Sequence, residues 1–239
     1  MQKKAESRVI PEETTPKFFA QNFKPYVFIG DFIKGKKVLE VGCGDGYGAH
    51  YLSGLAKTII ALDYEPEVVL QAKNKYKAKG LQFISMDAAE LALKDALFEA
   101  VCSFQVIEHI PQEKLMKYLS EIKRVLKKGG RFYLSTLNLA HAMKSPRSYQ
   151  KNPAHCQEFR LYRLKAFLAG VFRNVEVYGL HLSAKHNFIQ RLKKIGIFNI
   201  LPANLDPVKQ FYARVSPDDF IVSGHNLEKA SDFICICYD

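Results

Sequence analysis

Val38-Leu39-Glu40-Val41-Gly42-Cys43-Gly44-Asp45-Gly46-Tyr47-Gly48 decides how the rest of the chain is read. An apolar run, Val38–Val41, has the composition of a buried strand. The alternating glycines after it let the backbone turn tightly and approach a ligand without obstruction by a Cβ. A ligand held there rests beyond the strand's carboxyl end, against the start of the next helix, which the pattern places at Ala49–Leu55. Working outward, Thr58–Leu62 reads as a second strand. Glu67–Lys79 reads as a helix, with Pro66 in its first turn and Gly80 at its end. Leu81–Ser85 and Phe98–Phe104 follow as strands. Gln112–Lys128 is a helix with Leu115, Leu119, Ile122 and Leu126 on one face, closed by Gly129-Gly130. Arg131–Thr136 is the fifth strand. Strands and helices alternating at this spacing predict an α/β fold with a doubly wound, largely parallel sheet.

Upstream, residues 1–16 read as an irregular arm. Phe19, Phe23, Tyr26, Ile29 and Ile33 recur at helical spacing within Lys17–Ile33, a cap helix. Downstream the alternation breaks. Residues 139–158 are polar and irregular, too long for a plain connector. Leu161–Gly170 resumes as a helix and Asn174–Leu180 as a strand. Residues 181–230 carry three prolines and no strong period, and Phe233–Cys237 ends the chain as a strand. The expected organisation is one domain over 1–239: arm and cap (1–35), ligand-binding core (36–138), acceptor-side loops and a lid or insertion (139–230), and a final strand (231–239).

The spacing of the glycine turn alone admits two ligands. Gly44-Asp45-Gly46-Tyr47-Gly48-Ala49 also fits a dinucleotide fingerprint, with Asp63 where a ribose-binding acid belongs. Glu40 and Asp45 argue against it, because two carboxylates beside the turn repel a pyrophosphate. They suit S-adenosylmethionine, which has no phosphate and carries an ammonium and a sulfonium. Asp63, at the end of the second strand, is placed to accept both ribose hydroxyls. Asp87, after the third, can accept the adenine amino group while Ala88 offers its N–H to a ring nitrogen. Glu40, Gly42, Gly44, Asp45, Gly46, Asp63, Tyr64, Asp87, Ala88 and Gln105 form the expected cofactor set.

VLEVGCGDGYG, ALDYEPEVV, FISMDAAEL, FEAVCSFQVIEHI and LKKGGRFYLSTLN, in that order over about residues 36–138, resemble the successive motifs of class I (Rossmann-like) S-adenosylmethionine-dependent methyltransferases. The resemblance implies a seven-stranded mixed sheet whose last strand is antiparallel and inserted beside the fifth. Asn174–Leu180 and Ser231–Cys237 would be the final pair. It also implies that Gly42 and Gly44 approach the methionine moiety and that Gln105 faces the cofactor. Arg8-Val9-Ile10-Pro11-Glu12, Ile107-Glu108-His109-Ile110 and Asn152-Pro153-x-His155-x-x-Glu158-Phe159 resemble a small-molecule subgroup. Its members often act on sugars, lipids or surface-polysaccharide precursors.

Methyl transfer needs alignment, exclusion of water, and a base where the acceptor loses a proton. His109 follows the fourth strand, with Glu108 beside it to orient it. His155 and Glu158 lie in the long loop after the fifth strand. These three are the candidate catalytic residues, each with a plain structural alternative as a helix cap or a loop-ordering contact. The five cysteines, Cys43, Cys102, Cys156, Cys235 and Cys237, sit mostly inside apolar runs and read as buried, reduced thiols. Cys235 and Cys237 are expected on opposite strand faces, and no zinc-type spacing accompanies them. No metal is expected, with a divalent ion on Glu108 and His109 left open.

The chain has 239 residues, 48% of them hydrophobic, and a net charge of +11. Its N-terminus lacks the apolar stretch of a secretory signal, so a cytoplasmic protein is expected. Between 140 and 200 the cations are Lys144, Arg147, Lys151, Arg160, Arg163, Lys165, Arg173, Lys185, Arg191, Lys193 and Lys194, opposed only by Glu158 and Glu176. This region motivates an RNA methyltransferase as the alternative to O-methylation of a small molecule or a glycan or lipid precursor. Nucleic acid is the less favoured partner, since the basic residues show little aromatic interleaving and no base-amino methylation motif is present. A non-catalytic cofactor-binding module is the third reading. The sequence does not set the acceptor or the oligomeric state.

Overall fold

The computed structural model describes residues 8–143, 149–196, 202 and 205–239. Lys144 and Arg147 of the basic region, and part of the arm, lie outside them. The first half runs α1 (Pro16–Ile29), β1 (Lys37–Val41), α2 (Tyr47–Ser53), β2 (Thr58–Asp63), α3 (Pro66–Lys75), β3 (Leu81–Ser85), β4 (Phe98–Phe104) and α4 (Leu115–Val125). The second half runs β5 (Leu126–Leu137), α5 (Leu139–Ala142), α6 (Leu161–Ala169), β6 (Asn174–Leu182), α7 (Ala184–Ile195), α8 (Pro207–Ala213), β7 (Phe220–Ser223) and β8 (Asp232–Tyr238).

The strands form one sheet in the order β3-β2-β1-β4-β5-β8-β6-β7. β1 to β5 pair in parallel, and β8 pairs antiparallel with both β5 and β6. The α/β class, the parallel core and the inserted antiparallel last strand agree with the sequence reading. The strand count is corrected from seven to eight: β7, antiparallel to β6, adds an edge strand inside the stretch that showed no period. Four residues of half-buried edge leave too short an alternation to register. The fourth helix ends at Val125 rather than Lys128, because Leu126 already pairs with Phe98 as the start of β5.

Side chains alternate between two core layers, as the period of a strand requires. Leu39 and Val41 face α4 and α6, whose Leu115, Leu119, Ile122, Leu164 and Leu168 are buried. Val38 faces the opposite layer with Ile29, Leu52 and Ala72. Each large aliphatic side chain buried this way contributes about 1.5–3 kcal/mol of transfer free energy. Cys235 and Cys237 lie in the same layer, with Ile236 in the other, so the expectation of opposite faces is wrong: residues two apart on a strand share a face. All five cysteines are free thiols, and Cys156 is exposed.

α1 is the cap helix. Thr15 caps its start by accepting from the Phe18 N–H, and Tyr26 docks on the first turn of α2. Gly48 permits this, since a Cβ there would lie 2.1 Å from Tyr26 Cε1. The excursion after β5 returns at a bridge between Asn138 and Phe159. Asn138 is buried and donates to the Ala230 carbonyl at 2.9 Å, tying the excursion's root to β8. Among the described residues no helix is long and apolar enough to cross a membrane.

Candidate active site

A cavity of about 490 Å³ opens at the carboxyl ends of β1, β2 and β4 and beside the turn after β3. This volume lies in the range of small-molecule sites. Its wall includes Gly42, Gly44, Asp45, Asp63, Tyr64, Asp87, Ala88, Gln105 and His109. Gly42, Gly44 and Gly46 all have positive φ. Gly42 is the most constrained, at φ +77°, with an added Cβ falling 2.3 Å from Val106 Cγ2.

Asp63 anchors the floor of the cavity. Its carboxylate accepts from the Gly44 N–H at 2.9 Å and the Glu65 N–H at 3.2 Å, which joins β2 to the glycine turn. The Arg8 guanidinium lies 3.8 Å from it and 3.0 Å from Glu65. Asp87 accepts from the Ala89 N–H at 2.8 Å and from Lys114 at 3.3 Å. The Ala89 bond, with Lys114 adding to it, holds the Asp87 carboxyl below its ordinary range.

Glu40 and Asp45 are differently placed from what the sequence suggested. Glu40 is buried behind the turn, outside the cavity wall, where Oε1 accepts from Tyr26 at 2.7 Å. Its Oε2 is buried without a partner, and burial pushes the carboxyl up to about 8. Asp45 turns toward α3 and is held by Lys75 at 2.9 Å and Tyr76 at 2.7 Å. Lys75 also reaches Glu12, so the arm and the glycine turn share one cation. The two carboxylates therefore do not act as a bare negative pair. The acids lining the cavity are Asp63, Glu65, Asp87 and, in part, Asp45.

At the other end, a single 3-10 turn, Ile107–His109, follows β4. Residues 154–157 of the long excursion fold back onto it. Cys156 and Gln157 donate their N–H groups to the Glu108 carbonyl at 2.8 and 3.1 Å. His109 Nδ1 donates to the Ala154 carbonyl at 2.9 Å, and His155 Nδ1 to Glu158 Oε1 at 2.7 Å. Tyr149 donates to the other Glu158 oxygen. The Glu108 carboxyl is buried, accepts from Thr136 Oγ1 at 3.0 Å, and is pushed by burial up to about 8. Burial lowers His109 and takes His155 down to about 4, so both rings are neutral near pH 7. One ligating atom from each of Glu108, His109 and His155 lies within 4.8 Å of the others.

Residues 39–134 match the family of methyltransferase domains. With the fold and the strand-end acids beside it, this segment makes the chain similar to the class I S-adenosylmethionine-dependent methyltransferases. It is 37% identical over 134 residues to a Mycolicibacterium smegmatis protein named a probable S-adenosylmethionine-dependent methyltransferase, covering 56% of this chain and 50% of that one. A fatty-acid O-methyltransferase of the same organism is 35% identical over 102 residues, 42% of this chain and 36% of its own. The chain thus spans about half, or less, of the length of these curated relatives. A solved methyltransferase from Archaeoglobus fulgidus shares the fold at a TM-score of 0.61 and 16% identity, covering 95% of this chain and 96% of that one.

The structure gathers Gly42, Gly44, Asp63, Tyr64, Asp87, Ala88 and Gln105 around one cavity. Gln105 has φ +57°, and its amide donates to Ser135 Oγ and Asp232 Oδ1, both at 3.3 Å. Asp232 and the Gln21 that holds it were not singled out from sequence, nor was Arg8 as a cavity residue. Arg8 stands in the Arg-Val-Ile-Pro-Glu segment of the subgroup pattern, which was the available signal. Lys185 and Lys193 sit over the rings of Phe211 and Tyr212, and Arg163 over Phe167, an interleaving the linear order concealed.

Proposed function

We propose that the chain transfers the methyl group of S-adenosylmethionine to an oxygen of a small-molecule acceptor, a lipid or glycan precursor. The observation that carries this reading is one cavity lined by strand-end acids at one end and by His109 at the other, with the His155 ring edge-on to His109. The residues present fit the cofactor: Asp63 for the ribose hydroxyls, Asp87 and the Ala88 N–H for adenine, and the open backbone at Gly42 and Gly44 for the methionine moiety. Tyr64, 74% exposed, is free to cover the nucleoside side. Glu40 acts through Tyr26, which lines the cavity, and Asp45 and Gly46 shape the turn.

When bound, S-adenosylmethionine supplies a methyl group on a positively charged sulfur, open to attack by a lone pair on the acceptor. The chain's task is then to place the acceptor oxygen and take up its proton. His109 commits Nδ1–H to Ala154, which leaves Nε2 as its basic nitrogen. His155 is fixed in the same tautomer by Glu158, itself held by Tyr149. The relative named a fatty-acid O-methyltransferase supports oxygen as the atom methylated and a lipid as the acceptor class.

The test is calorimetric titration with S-adenosylmethionine, S-adenosylhomocysteine and NAD, followed by methyl transfer onto a panel of hydroxylated and carboxylated lipids and sugar precursors. Binding of the first two ligands with transfer to one acceptor class is the expected result. Binding of NAD alone, or cofactor binding with transfer only to RNA, would overturn it.

A further inference from the structure

Among the described residues, the groups able to hold a metal converge at the foot of β4, not at the cysteines. Glu108 and His109 come from the turn after β4, and His155 comes from the excursion folded back over it. We propose that Glu108, His109 and His155 bind one divalent transition-metal ion of the zinc class, beside the end of the cavity that His109 lines.

The donor set suits such an ion: two imidazole nitrogens and one carboxylate oxygen, with coordination positions left open. The ligating atoms lie within 4.8 Å of one another. Ligands on a bound zinc stand about 3.3 Å apart, so modest side-chain rotations close the site. Each ligand is already oriented by a second group, as metal ligands require. The Ala154 carbonyl takes His109 Nδ1–H and the Glu158 carboxyl takes His155 Nδ1–H, which leaves both Nε2 atoms as the available donors. Thr136 holds Glu108 Oε2, leaving Oε1 for the ion. The neighbouring thiol plays no part, since Cys156 Sγ donates to the His109 carbonyl.

Three protein ligands leave room for a further oxygen ligand, which distinguishes a catalytic ion from a structural one. One carboxylate against a doubly charged ion leaves a net positive centre, suited to a hydroxyl or carboxylate oxygen of an acceptor reaching past His109. The ion would bind and polarise that oxygen, and a hydroxyl's proton would pass to solvent water. This role rests on the methyl-transfer reading above and replaces His109 as the base, since Nε2 cannot hold the ion and take up a proton at once. The site itself rests only on the geometry.

The test uses the whole chain, stripped with EDTA and dialysed, titrated with Zn²⁺ by calorimetry and with Co²⁺ by visible absorption. One equivalent of each is expected, with the absorption of a low-coordinate cobalt site. H155A and H109A should each weaken binding by more than about 100-fold. E158Q, which alters only the group orienting His155, should weaken it by about 10–100-fold. H225A, at an exposed histidine away from the site, should bind like the wild type. Titration with S-adenosylmethionine in EDTA reports folding and the cofactor reading separately in every variant. Failure of the wild type to bind either metal, or unchanged affinity in a folded H155A, overturns the proposal and leaves the cofactor reading standing. Metal binding without cofactor binding would do the reverse.

Discussion

The ring of His155 stands edge-on to that of His109, with centroids 5.0 Å apart and planes at 81°. Both rings spend Nδ1 on a protein acceptor, which leaves Nε2 of each unprotonated, and His109 lines the cavity. Replacing both with alanine should lower turnover by about 10²–10⁴-fold, the size of a proton-transfer or acceptor-activation contribution. Affinity for S-adenosylmethionine should stay near normal. A methyl-transfer assay run beside calorimetry checks both statements, and unchanged turnover would remove the pair from the chemistry.

Asp63 links β2 to the glycine turn through Gly44 and is the acid best placed for the ribose. Asp63→Ala should weaken both S-adenosylmethionine and S-adenosylhomocysteine by about 10–150-fold, the worth of hydrogen bonds to a charged acceptor. Equal losses for the two ligands are expected, because the methyl group is remote from the ribose. A loss confined to one of them would place Asp63 elsewhere.

Gly42 and Gly44 differ in a way that thermal denaturation can read. Both have positive φ, but a Cβ at Gly44 meets open space while one at Gly42 strikes Val106. Gly44→Ala should cost about 1 kcal/mol from backbone strain alone. Gly42→Ala should cost more, and Val106→Ala in the same chain should recover part of the difference. No recovery in the double variant would show that the backbone, not the clash, sets the cost.

Glu40 gives the apo protein a pH dependence whose sign is fixed. Burial raises its carboxyl from an ordinary 4.5 to about 8, so between those values the folded state holds a proton that the unfolded chain has released. Stability from this group is full below pH 4.5 and is lost as pH rises through 8. Glu40→Gln keeps an acceptor for Tyr26 and removes the titration. Its melting temperature should exceed the wild type's by several degrees at pH 8.5 and converge with it near pH 5. Parallel melting curves across that range would contradict the assignment.

Much of the cofactor half was legible from sequence because its signals are local. Asp63 ends β2 and Asp87 follows the end of β3 by two residues, so strand boundaries alone put both on the cavity wall. The turn at Gly42–Gly46 announces itself because no other residue tolerates that backbone without strain. Where local periodicity weakened, so did the reading: β7 escaped notice, and the final turn of α4 was taken for helix when it is the start of β5.

The sequence by itself determined the α/β alternation, the glycine turn, the strand-end acids and, through their order, the likeness to methyltransferase domains over residues 39–134. Hydrophobic period and turn chemistry are short-range properties. Tertiary structure alone decided where the remaining charges point. Asp45 is held by Lys75 and Tyr76 at the end of α3, and Glu40 turned behind the strand to Tyr26. It also decided that His155 meets His109, because the backbone groups of residues 154–157 satisfy their hydrogen bonds on the turn after β4. Those partners are chosen by the buried backbone's need for hydrogen bonds across distant segments, which no local pattern of residues specifies.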